Sequence, residues 1–70
     1  MAMCEATVFL AEEGAETKVM ENVISMRPED DQVLLADLLG EQKVLRARVK
    51  AVDFLRHRIV LEKLPAAAKV

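Results

Sequence analysis

Apolar and polar residues alternate along most of this chain with a period of two, the spacing of half-buried strands. In the first segment Cys4, Ala6, Val8 and Leu10 share one face, and Glu5, Thr7 and Phe9 share the other. Glu12-Glu13-Gly14-Ala15 reads as a tight turn, with Gly14 supplying the positive φ that a hairpin needs. Residues 17–20 begin a returning strand, and residues 23–26 predict another after Glu21-Asn22. Arg27-Pro28-Glu29-Asp30-Asp31 is polar and contains a proline, so it reads as a loop. Residues 32–37 predict a short apolar strand, and Leu38-Leu39-Gly40 a turn.

Residues 41–52 carry the clearest alternation. Leu45, Ala47, Val49 and Ala51 point one way, and Arg46, Arg48 and Lys50 the other. A helix would scatter both sets around its circumference, so one strand is predicted although several of these residues favour helices. Phe54-Leu55-Arg56-His57 is a turn, and residues 58–62 form the last strand. Roughly five to seven short strands in this spacing predict an all-β fold, a small antiparallel β-barrel or half-barrel. Residues 3–63 form the single expected domain, 64–70 a frayed tail, and 1–2 a start-site extension.

Composition narrows the function. The chain has 70 residues, 53% of them hydrophobic and 31% charged, with a net charge of −2. It is globular, and nothing in the overall charge draws it to nucleic acid or an anionic membrane. No apolar run approaches the roughly 18–20 residues of a membrane helix. A domain this small often needs a metal or a partner subunit, and the lone Cys4 cannot form an internal disulfide. An open barrel edge invites pairing with a second copy, so a homodimer is expected. One cysteine without a spacing pattern fits a reducing, cytoplasmic setting.

The candidate chemistry is sparse. A deprotonated Cys4 is a soft metal ligand, whereas a protonated one packs as a small hydrophobe beside Ala6, Val8 and Leu10. His57, the only histidine, lies between Arg56 and Arg58 and reads first as an exposed turn residue. Glu29-Asp30-Asp31 lacks the ligand spacing of a calcium loop and reads as a solvated turn. Met20 and Met26 read as core filler. Arg46, Arg48 and Lys50 form a basic stripe that could meet RNA phosphate, or a solvated face balanced by acids elsewhere. The chain lacks Tyr and Trp for base stacking, and Phe9 and Phe54 are equally explained as core or interface. No nucleophile–base pair or glycine-rich phosphate loop suggests an enzyme.

Three stretches carry a family resemblance. Met3-Cys4-Glu5-Ala6-Thr7-Val8, Asp37-Leu38-Leu39-Gly40-Glu41-Gln42 and Ala51-Val52-Asp53-Phe54-Leu55-Arg56-His57-Arg58-Ile59-Val60-Leu61-Glu62 together resemble the CooT-type small proteins, over residues 3–62. The resemblance implies a homodimeric β protein that binds Ni(II) and supports maturation of carbon monoxide dehydrogenase. It makes Cys4 the key metal residue. A terminal cysteine offers thiolate and amine, and two Cys4 residues of a dimer, with or without His57, could share one ion. With Met1-Ala2 in place, Ala2-Met3-Cys4 offers amine, amide nitrogens and thiolate. A nickel enzyme is then the implied client. The alternatives are a small RNA-binding barrel using the basic stripe and a structural adaptor with an inert Cys4.

Overall fold

The computed structural model describes residues 5–65. The chain forms six strands: β1 (Ala6–Glu12), β2 (Ala15–Glu29), β3 (Gln32–Asp37), β4 (Gln42–Leu45), β5 (Ala47–Asp53) and β6 (Arg58–Lys63), with the clearest alternation of buried and less buried positions in β3 and β6. They form one sheet in the order β4-β3-β2-β1-β6-β5, curled into a half-barrel, as the alternation predicts. Neighbours pair antiparallel with one exception. β1 and β6 run parallel, from Thr7 opposite Arg58 to Ala11 opposite Glu62. The β1–β2 hairpin closes on Glu13 (φ 51°) and Gly14 (φ 83°), the two left-handed positions whose twist matches the flanking strands.

β2 differs from the sequence expectation. Residues 17–20 and 23–26 belong to one strand rather than two, and Arg27, Pro28 and Glu29 extend it rather than forming a loop. The pairing slips between Ala6 and Val8 and between Val8 and Phe9 against β1, and between Val23 and Ser25 against β3. Asn22 takes a φ of 57° at the bend. These bulges break the period of two without ending the strand, so Met20, Val23 and Met26 face inward at a spacing of three. Pro28 is tolerated because β1 stops pairing at Val23. Beyond that point β2 has a neighbour on one side only, where a missing N–H costs no ladder bond.

The single strand expected over residues 41–52 is also corrected. It breaks at Arg46 into β4 and β5, the two outermost strands of the sheet. The chain therefore passes from one sheet edge to the other through this residue. Pro65 O accepts from Arg46 Nε at 3.2 Å, and Arg46 O accepts from Leu64 N at 3.2 Å. The turn brings β5 against β3 and closes the core. Val8, Met20, Val23, Val33, Leu35, Ala47, Ile59 and Leu61 make up its buried centre. Each large member contributes about 1.5–3 kcal/mol relative to exposure. Leu45 and Val49 pack on it, but Ala51 is exposed, because an extra residue at Lys50 shifts the pairing with β6.

Candidate functional site at the start of the first strand

Several ends of strands meet along one margin of the sheet. Asp37, where β3 ends, pairs with Val23, and Val23 pairs with Ala6, where β1 begins. One residue further, Thr7 pairs with Arg58 at the start of β6, and Arg58 pairs with Asp53 at the end of β5. The start of β1 thus lies between the β3–β4 turn and the β5–β6 turn. Cys4 precedes Ala6 by two residues and lies outside the described residues.

Both turns are pinned by an aspartate. Asp37 is buried, and its Oδ1 accepts from Leu39 N at 3.0 Å and from Glu41 N at 2.8 Å. Its backbone adds bonds to Glu41 O and from Gly40 N, and Gly40 supplies the positive φ of 89°. Leu38 N donates to Asn22 O at 2.9 Å, which ties this turn to the bend of β2. In the second turn Asp53 Oδ1 accepts from Arg56 N at 3.1 Å. His57 has a φ of 55° and its carbonyl accepts from Thr7 N at 2.9 Å. The sole histidine is therefore exposed, as read from the sequence, but it is fastened by its backbone beside the start of β1.

The side chains these turns present are apolar. Leu39, Leu55 and Phe54 are 90%, 88% and 85% exposed, and Leu38 is half exposed. Phe54 is not a core residue, and Phe9 is half-buried on the outer face, 4.4 Å from the Arg58 guanidinium carbon. The sequence marked all four turn residues as turn members but gave them no role. Two apolar pairs inside polar turns were the available signal.

The remaining candidates disperse. Arg46 lies 3.5 Å from Asp31, Arg48 3.4 Å from Glu62 and Arg58 2.7 Å from Glu16. Lys50 has no carboxylate partner among the described residues. The basic stripe is thus largely neutralised in place, which weakens it as a phosphate track. Glu29, Asp30 and Asp31 are exposed around the β2–β3 turn. Among the described residues no three or more His, Cys, Asp or Glu side chains gather in a way that could hold a metal ion. None of the described residues forms a helix long and apolar enough to cross a membrane.

The fold places this chain among small all-β half-barrels, and in it the first strand begins between two apolar turns. The family model described as CO dehydrogenase accessory protein CooT matches residues 3–62, and the chain belongs to that family. A crystal structure of a protein assigned to CooT, from Carboxydothermus hydrogenoformans, superposes with a TM-score of 0.81 at 32% identity. It covers 89% of this chain and 100% of that one. An uncharacterised protein of Archaeoglobus fulgidus is 37% identical over 43 residues, which are 61% of this chain and 96% of the relative. Among the described residues, the three stretches that carry the resemblance include the start of β1 and both turns of this margin.

Proposed function

We propose that this chain is a non-catalytic nickel-delivery protein of the cytoplasm, working as a homodimer that holds Ni(II) through Cys4 and passes it to a carbon monoxide dehydrogenase. The family carries the accessory role, since its description is that of a CO dehydrogenase accessory protein. The single observation that supports Cys4 is its place in the sequence: the family match begins at Met3, so the chain's one thiol, a soft donor once deprotonated, stands at the start of the matched span.

The donor set fits the cargo. Nickel(II) accepts thiolate together with nitrogen donors in tetragonal geometry. His57, backbone-bonded to Thr7, can lend an imidazole from beside the start of β1. A site with few protein donors also suits a carrier. Incomplete coordination leaves positions for the acceptor's ligands, and the ion transfers by ligand exchange. Thiolate binding releases a proton, so uptake strengthens as pH rises toward the thiol pKa. Titration with Ni(II), followed by sulfur-to-nickel charge-transfer absorbance, tests the reading. Wild type gives a saturable band that Cys4→Ala lacks. The same band in both proteins refutes it.

A further inference from the structure

The sheet is open along one line. β4 pairs with β3 and β5 with β6, and among the described residues no strand pairing joins β4 to β5. These two strands are the lips of a seam. At one end the lips are joined through a single residue, Arg46, since β4 stops at Leu45 and β5 starts at Ala47. At the other end they part. β4 starts from the β3–β4 turn and β5 runs into the β5–β6 turn, the two turns that flank the start of β1. At about 3.3 Å per residue, the four residues of β4 and the seven of β5 are arms of about 13 and 23 Å, so a change of about 10° at Arg46 shifts one turn against the other by about 2–4 Å. The margin can yield to such a shift, because the β1–β2 pairing slips twice between Ala6 and Phe9.

Arg46 is tied down on both sides of the seam. Leu45 packs on the core and Ala47 is buried, and the side chain between them is partly exposed. Its Nε donates to Pro65 O at 3.2 Å, its carbonyl accepts from Leu64 N at 3.2 Å, and its Nη2 lies 3.5 Å from Asp31 Oδ2. Leu64 and Pro65 follow β6, on the side of β5. Asp31 lies in the β2–β3 turn, on the side of β4. One guanidinium thus spans the joined end of the seam. Its ion pair is largely exposed and adds little to global stability, so its effect is on geometry. The rigid planar fork serves two acceptors in fixed directions, which an ammonium on a flexible stem does not.

We infer that Arg46 is a positioning residue for the candidate site. It clasps the seam at one end and so sets the gap between the β3–β4 and β5–β6 turns at the other, and with it the footing of β1. The inference rests on the reading of Cys4 as the nickel donor and names a residue that holds the surroundings of that donor in place without touching the ion.

Amide hydrogen exchange and nickel titration on the full chain test it. Arg48→Ala is the control, since Arg48 is a cation of β5 that pairs with Glu62 on the same side of the seam. Arg46→Ala is expected to keep the wild-type circular dichroism and to exchange at least about tenfold faster at the Thr7, Leu38 and Glu41 amides, with the centres of β1 and β6 unchanged. Its Kd for Ni(II) rises at least about threefold. Arg46→Lys stays closer to Arg46→Ala than to wild type, and Arg48→Ala matches wild type throughout. Faster exchange confined to Leu64 overturns the inference. A uniform rise across all six strands also overturns it, since that marks lost stability rather than lost positioning. Should Arg46→Ala fail to fold, Asp31→Ala removes one tie from an exposed turn and moves the same amides by a smaller factor; no movement there overturns the inference. Faster exchange at the turns with unchanged, Cys4-dependent nickel affinity overturns it as well. If the turns respond to Arg46→Ala while Cys4→Ala binds nickel as wild type does, the carrier reading falls and the coupling of Arg46 to the turns stands.

Discussion

Replacing Asp37 with alanine removes the carboxylate that organises the β3–β4 turn. The side chain accepts two backbone N–H bonds, from Leu39 at 3.0 Å and Glu41 at 2.8 Å, while being nearly sealed from solvent. A hydrogen bond to a charged group contributes about 1.5–3 kcal/mol. Leu39 and Glu41 are exposed, so water replaces part of each bond, and the total loss is placed at about 2–4 kcal/mol. A chain of this length has a total stability of roughly 3–10 kcal/mol, so the variant unfolds at far lower urea. Asp37→Asn keeps one carbonyl acceptor for the same two amides and loses about half as much. Urea melts at one fixed protein concentration supply the free energies, and hydrogen exchange at the Leu39 and Glu41 amides supplies the local cause. Asp37→Ala within 0.5 kcal/mol of wild type, or Asp37→Asn as damaging as Asp37→Ala, refutes the reasoning.

Leu35 is fully buried at the centre of the core, so Leu35→Ala is expected to cost about 2–5 kcal/mol in the same melts. Gly14 and Gly40 have φ of +83° and +89°, and a Cβ at either meets nothing within 4 Å. Gly14→Ala and Gly40→Ala therefore lose about 1 kcal/mol each through backbone conformation alone. Arg58 lies over the Phe9 ring and 2.7 Å from Glu16, and both members of the ion pair are partly exposed. Arg58→Ala is expected to cost about 1 kcal/mol, with a smaller difference from wild type in 1 M salt.

How much was legible depended on whether the period of two survived. It survives in β1, β3 and β6, and those strands lie where the alternation put them. It fails in β2, where slips around Val19, Asn22 and Ile24 turn the inward spacing to three. Pro28 reads as a loop signal unless one knows that β1 has already stopped pairing. The break at Arg46 carries no glycine or proline to announce it. The parallel pairing of β1 with β6 joins the two ends of the chain, and no local pattern encodes it. Among the site residues, His57 was legible as an exposed turn residue. Its bond to Thr7 was not, because the contact spans most of the chain. Leu39, Phe54 and Leu55 were legible only as turn members, since apolar residues are expected to turn inward and these do not. Cys4 is singled out by its chemistry and by the resemblance alone, and it lies outside the described residues.

Native mass spectrometry after equilibration with Ni(II) and removal of free metal tests the nickel assignment most directly. The account predicts that the wild-type chain retains nickel in a defined ratio to protein, and that Cys4→Ala and Cys4→Ser retain none while keeping the same fold. Retention of the full complement of nickel by either variant contradicts it.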